Sequence, residues 1–457
     1  MTTTPTPTGH EQPARSDPRP GRIGLIVAGS LAAGLIAAVL LAAAPFIPPT
    51  ENAVTGGVLC GFALGWAMLA VLSARYTDQP QRWAMAPAAF LGLGGLLLVL
   101  FGTSVREWLN WVWPPALLAL AIWMTIDVHR RLRSPVGRWL LYPVFLVLAV
   151  AAIGGGYETV MEQVDARAHP RAGQLIDVGG HSLHLNCTGS GSPTVVLEPG
   201  AGEMSAVFGW IAPAVSRDTR VCVYDRAGRG WSEPADTPQD ASQIATDLHT
   251  LLHRGGVAGP YVLAGHSFGG LYVQTFAAHY PDEVAGMVLI DSTAPVSTAP
   301  SSTAPTDAGD SYNLMGRVSA LASAAARLGV GRLYGAFDYG SLPPASRAEA
   351  RASVAKAGQL GSTIDEYVAA PSSMAQAAAL AEFDDKPLVV LTAGSGSAPG
   401  WAAKQTAMAA LSTDSSHRVV DGATHPSLIT DEEDAAATSQ AILDVVTSVR
   451  TGVPLVR

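Results

Sequence analysis

Five charge-free apolar runs in close succession, residues 23–50, 52–74, 83–105, 108–126 and 139–157, constrain this chain more than any other feature. Each is near the ~20 residues a helix needs to cross a bilayer, where no water is present to satisfy the backbone. One such run could be a buried helix of a soluble core. Five joined by arginine-bearing connectors point to an α-helical transmembrane bundle over residues 22–158. Trp83, Trp108, Trp111, Trp113 and Trp139 lie at run ends, where an amphipathic ring favours the headgroup layer. No Asp, Glu, Lys, Arg or His falls inside a run. The marks of an ion path or proton relay are therefore missing, and the bundle reads as an anchor. Residues 1–21, rich in Thr and Pro, read as a disordered tail.

Arginine placement orients the spans. Arg15, Arg19 and Arg22 precede the first, Arg75 and Arg82 join the second to the third, and Arg130, Arg131, Arg133 and Arg138 join the fourth to the fifth. The opposite connectors carry only Arg106. The positive-inside rule then puts the N-terminus in the cytoplasm and everything after Tyr157 outside, in a multi-pass protein of the cell membrane. A re-entrant fourth run, which carries Pro114-Pro115, would change both the count and the side. A cleaved signal peptide ending near residues 42–44 would remove one span and leave the side unchanged.

Charge divides along the same line: through residue 157 there are ten Lys and Arg against six Asp and Glu, and beyond it eighteen against thirty-one. The acidic outer part argues against nucleic acid as a partner. It spans residues 172–457. Of three cysteines, Cys60 lies within a run, while Cys187 and Cys222 fall on strand-like segments of the outer part, and no metal-ligand cluster can be built from them. No cofactor or metal is expected.

From Gln174 onward, short β-rich runs alternate with helix-length segments: 175–178, 182–187, 194–198, 220–224, 261–264, 286–290, 387–392 and 417–420. The first two form a hairpin around Gly179-Gly180, and the others give a mainly parallel sheet with its site at the carboxyl strand ends. The fifth run ends abruptly in Gly265-His266-Ser267-Phe268-Gly269. This is a nucleophile elbow, with glycines two before and two after a serine whose Oγ is pushed above the sheet. Residues 292–385 hold no convincing strand and read as a helical cap over the site.

The outer part resembles the α/β-hydrolase fold family. Pro193–Gly200 resembles the strand leading to the oxyanion loop, and Tyr224-Asp-Arg-Ala-Gly-Arg-Gly-Trp-Ser232 the family's D-R-x-G-x-G-x-S turn. Gly265–Gly269 matches the elbow, and Gly422-Ala-Thr-His425 the histidine loop. The resemblance implies Ser267 as nucleophile, His425 as base, and oxyanion donors at the amides of Phe268 and Ala201. The usual His-Gly of the oxyanion loop is here Pro199-Gly200. The usual acid position after the seventh strand is also vacant, because residues 393–408 contain no Asp or Glu. A variant of the fold takes the acid from the end of the sixth strand, which implies Asp291, with Asp414 or Asp421 as alternatives. Neighbouring strands in this fold bring Cys187 and Cys222 together, implying a disulfide outside the cytoplasm, with two inert buried thiols as the alternative.

Other histidines fit less well. His417 starts a strand on the opposite edge from Ser267, and His181 and His184 belong to the hairpin. His249 and His253 have metal-compatible i, i+4 spacing, but no further ligand accompanies them in sequence, so they read as an exposed helix face. Asp225 and Arg226 brace their own turn. The expected function is a membrane-anchored serine hydrolase using a Ser-His-Asp triad on a small-molecule or lipid-like ester, with the lipid bilayer as its other partner. The alternatives are an aminopeptidase or other amidase of the same fold, and a non-catalytic membrane receptor.

Overall fold

The computed structural model describes residues 23–235, 237–296 and 313–455. The expected tail over 1–21 and most of the low-complexity segment 292–306 lie outside the described residues. Two compact units are present, one holding the chain up to Ile47 with Asn52–Ala152, the other Pro48–Glu51 with Ile153 onward.

Helices α1 (Ile23–Ala42), α2 (Glu51–Tyr76), α3 (Met85–Phe101) taken with the 3-10 turn Arg82–Ala84 that leads into it, α4 (Thr103–Arg131) and α5 (Pro135–Ala168) are long and apolar enough to cross a membrane. α4 runs unbroken through Pro114 and Pro115. α5 continues past its apolar run to Ala168. The run marks where hydrocarbon-compatible side chains stop; the helix itself persists through the helix-forming residues Glu158–Ala168. α1 and α2 meet backbone to backbone: a Cβ on Gly61 would lie 2.2 Å from Ala38 N, and one on Gly65 2.7 Å from Gly34 Cα. Small residues of this kind let helices gain dispersion contacts that the hydrophobic effect cannot supply inside lipid. Trp108 and Trp139 are exposed, in keeping with a headgroup role, but Trp83 is buried. It packs on Phe145 at a centroid distance of 6.1 Å and donates its Nε1–H to Gln81 Oε1 at 2.8 Å, so an internal acceptor replaces the expected headgroup contact.

The second unit is built on eight strands, β1 (Gln174–Asp177), β2 (Ser182–Thr188), β3 (Thr194–Glu198), β4 (Val221–Asp225), β5 (Tyr261–His266), β6 (Val284–Ile290), β7 (Leu388–Ala393) and β8 (Ser415–Val420). They form one sheet in the order β1-β2-β4-β3-β5-β6-β7-β8. β2 pairs antiparallel with β1 and β4, and the remaining pairs, from β4-β3 through β7-β8, are parallel. β3, β5 and β7 are buried at every position because both faces are covered, which is why they read as continuous apolar runs without alternation. Val195 and Leu197 join one core and Val196 the other, as the two-residue strand period requires.

Helices α6 (Ile211–Val215), α7 (Ala241–Arg254) and α8 (Gly269–His279) connect successive parallel strands. Between β6 and β7 the described residues form four helices, α9 (Leu314–Ala326), α10 (Val330–Phe337), α11 (Pro344–Ala355) and α12 (Ala357–Ala377). α13 (Trp401–Ala409) links β7 to β8, and α14 (Ser427–Thr430) and α15 (Glu432–Thr451) close the chain. Cys187 and Cys222 are register partners on β2 and β4 and are joined by a disulfide, with Cα atoms 4.0 Å apart.

Candidate active site

β5 and β6 run in register with His266 opposite Ile290, so the next residue on each, Ser267 and Asp291, leaves the sheet at the same carboxyl edge. Both adopt a left-handed backbone, with φ of 54° and 42°. Non-glycine residues occupy that region at a cost of about 1–3 kcal/mol each, met here by the surrounding structure. Ser267 N donates to Ile290 O at 3.1 Å, and Ser267 O accepts from Gly270 N and Thr293 N. The elbow glycines are required by contact: a Cβ on Gly265 would meet Gly269 O at 2.5 Å, and one on Gly269 would meet Glu198 O at 2.3 Å. Ser267 Cβ in turn lies 3.0 Å from where a Gly200 Cβ would stand, so the loop after β3 reaches the serine.

His425 Nδ1 lies 2.6 Å from Asp291 Oδ2. The imidazole is 42% exposed and the carboxylate 2%, leaving the ring reachable while its partner is shielded. Asp291 Oδ1 accepts from Trp401 Nε1 at 2.7 Å and from Ala393 N at 3.2 Å. Burial alone would raise the Asp291 carboxyl, but these three hydrogen bonds hold it below its ordinary value, ionised beside His425. The end of β7, which lacks an acid of its own, thus gives a backbone donor to the acid from β6.

The alternatives lie elsewhere. Asp414 accepts from Leu455 N at 2.8 Å near the chain end, and Asp421 is exposed beyond β8. His417 is engaged by Thr392 and Thr406. His184 Nδ1 pairs with Asp225 at 2.8 Å and His181 lies 3.3 Å from Asp247. Asp225 also accepts from Ser205 N and Trp231 N, which braces the turn it begins. His249 and His253 depart from the expected exposed face without a ligand: both point their Nε2 atoms at Glu283.

Two networks behind the site were not legible in the sequence. In the first, the elbow's own His266 is buried with Nδ1 3.0 Å from Glu203 Oε2 and Nε2 3.0 Å from the carbonyl of His425. Both ring nitrogens face pure acceptors, so both carry protons and the ring is an imidazolium. Glu203 Oε2 also accepts from Gly200 N at 2.6 Å. One ion pair therefore ties the loop after β3 to the loop bearing His425. Its only sequence signal was a histidine inside the elbow. Burial would raise Glu203, but the His266 charge and hydrogen bond hold it below its ordinary value, while the Glu203 charge lifts His266 above its own against burial. The pair's stabilisation is thus lost on the acid side as pH falls through the depressed Glu203 value, and on the alkaline side as pH rises through the raised His266 value. Glu203→Gln is expected to cost about 2–3 kcal/mol. The loss should be widest between about pH 4.5 and 6.5, and narrow as His266 loses its proton above that window. Paired thermal melts of the variant and wild type from pH 4.5 to 9 check this; a difference independent of pH would remove the ion pair from the account.

The second network reaches into the cap. Arg226, buried, gives Nη1 to Glu198 Oε1 at 2.6 Å and Nη2 to the Gly200 carbonyl at 2.6 Å, and Nε to Glu366 Oε1 of α12 at 2.9 Å. Arg229 Nη2 lies 2.9 Å from Glu366 Oε2, which also accepts from Gly202 N at 2.9 Å. Glu198 is fully enclosed and also receives the Tyr224 hydroxyl. Burial pushes its carboxyl up to about 7 despite Arg226. The turn that begins at Asp225 is therefore neutralised by a glutamate about 140 residues later in the chain.

Comparison with known proteins agrees with this architecture. Residues 193–432 match the model of the alpha/beta hydrolase fold, and the chain belongs to that family. An uncharacterized protein of Schizosaccharomyces pombe is 33% identical over 138 residues, 24% of this chain and 26% of that one. A 2-(acetamidomethylene)succinate hydrolase of Mesorhizobium japonicum is 34% identical over 118 residues, 26% of this chain and 42% of that one. The chain thus spans under half the length of these curated relatives. Among solved structures, Cfl2 of Burkholderia cenocepacia aligns with a TM-score of 0.47 at 22% identity, covering 60% of this chain and 95% of that one.

Proposed function

We propose that the protein is a membrane-anchored serine hydrolase that cleaves esters outside the cytoplasm. The observation that carries this reading is the short contact between the solvent-reachable His425 and the shielded, ionised Asp291, at the strand edge where the elbow serine also leaves the sheet. In it, Ser267 Oγ attacks the ester carbonyl, His425 takes its proton and later returns it to the leaving alkoxide, and Asp291 fixes the imidazole tautomer and offsets the imidazolium charge. The oxyanion is held by the Phe268 amide at the start of α8 and by the Ala201 amide. Ala201 is favoured because the amides on either side of it already donate to Glu203 and Glu366. The exterior location rests on the arginine distribution and on the five apolar helices.

Intact cells expressing the protein are expected to label with a membrane-impermeant fluorophosphonate, and purified protein to hydrolyse p-nitrophenyl acyl esters, with Ser267→Ala abolishing both. Labelling only after lysis would reverse the orientation. No labelling of purified protein would end the serine mechanism, and labelling without ester turnover would move the substrate to another acyl bond.

A further inference from the structure

His249 and His253 lie one turn apart near the end of α7, and the short 3-10 turn Pro281–Glu283 at the entrance to β6 delivers a carboxylate to them. His249 Nε2 is 2.9 Å from Glu283 Oε1 and His253 Nε2 is 3.2 Å from the same oxygen. The three donor atoms all lie within 4.8 Å of one another, and among the described residues this is the one such group of three His, Cys, Asp or Glu side chains. The His249 ring is held flat against Tyr280, with centroids 4.0 Å apart and planes 9° from parallel. Its nitrogen is thereby aimed at the group before any ion arrives.

We propose that His249, His253 and Glu283 form a binding site for a zinc-like divalent ion. Two imidazoles and one carboxylate suit zinc, nickel or copper, whereas calcium and magnesium take oxygen donors. Zinc binds imidazole nitrogen and carboxylate oxygen at ~2.0–2.2 Å, so tetrahedral donors stand roughly 3.3–3.6 Å apart. The His253-to-Glu283 separation of 3.2 Å nearly meets that spacing, and the His249-to-Glu283 separation of 2.9 Å needs to open by roughly half an ångström, which the partly exposed side chains allow. His253 is 57% exposed, and His249 and Glu283 about a quarter, so the ion has an open path and a fourth position for water. Glu283 precedes β6, whereas Asp291 follows it, so the site sits at the opposite end of the strand from the candidate triad. Its effect is to clip α7 to the chain entering β6, and so to raise stability by preferential binding to the folded state.

The test is calorimetric titration of Zn2+ into the full chain in detergent, freed of any affinity tag and stripped with chelator, with thermal melts in parallel. Wild type is expected to bind one ion and to melt at a higher temperature with zinc present. His253→Asn and Glu283→Gln should each weaken binding by more than about tenfold, since even partners that only orient metal ligands are worth 10–100-fold. Both should abolish the zinc-dependent rise in melting temperature. No binding by wild type, or equal binding by wild type and a His249→Asn/His253→Asn double variant, would overturn the site.

Discussion

Asp291→Asn is expected to leave the protein folded and to lower kcat on an ester by about four orders of magnitude, the size of the comparable change in a serine protease. The cause is tautomeric. Asp291 Oδ2 faces His425 Nδ1 at 2.6 Å, so a carboxylate keeps the proton on Nδ1 and, in the proposed mechanism, leaves Nε2 to accept from Ser267. An amide nitrogen at that position donates to Nδ1 and drives the proton to the wrong side of the ring. The other carboxylate oxygen already accepts from Trp401 and Ala393, and an asparagine can satisfy these donors through its own oxygen only by turning its amide nitrogen toward His425. A kcat within tenfold of wild type, with a large loss in Asp414→Asn or Asp421→Asn, would assign the acid elsewhere.

Glu366→Gln is expected to destabilise the protein by about 3–5 kcal/mol, because removing one partner of a buried ion pair leaves a charge without compensation. Arg229 is completely enclosed and has Glu366 as its carboxylate neighbour, while Arg226 pairs with both Glu366 and Glu198. For a unit of this size the cost corresponds to a fall in melting temperature on the order of 10 °C. Adding Arg229→Met to Glu366→Gln should recover part of the loss, since the second change removes the orphaned charge. Melting of Glu366→Gln within about 2 °C of wild type, or a double variant no better than the single, would contradict this account of the cluster.

The two candidate residues that sequence motifs exposed best, Ser267 and His425, are those whose chemistry requires a rigid local frame. The elbow needs glycines at Gly265 and Gly269 because backbone atoms pass within 2.6 Å of where their Cβ atoms would stand, and such constraints are written into neighbouring residues. The same holds for the sheet, where burial on both faces makes each central strand a continuous apolar run, and for the five long helices, whose apolar runs are near the length a bilayer crossing needs. Asp291 was partly legible, through the vacancy after β7. Trp401, the second donor that orients it, had no local signal, because the indole arrives from a helix over a hundred residues downstream.

By itself the sequence determined what local patterning controls: helix and strand positions, the turn that carries the serine, and the division into an apolar bundle and an α/β unit. Tertiary structure alone decided how charges are compensated. Coulomb and hydrogen-bond partners need proximity in space and carry no periodicity along the chain, so Glu203 meeting His266, Glu366 meeting two arginines, and Glu283 meeting His249 and His253 left no pattern to read. The gaps between those partners, from about thirty to about 140 residues, are closed only when the sheet brings β3, β5 and β6 side by side and the cap folds down upon them.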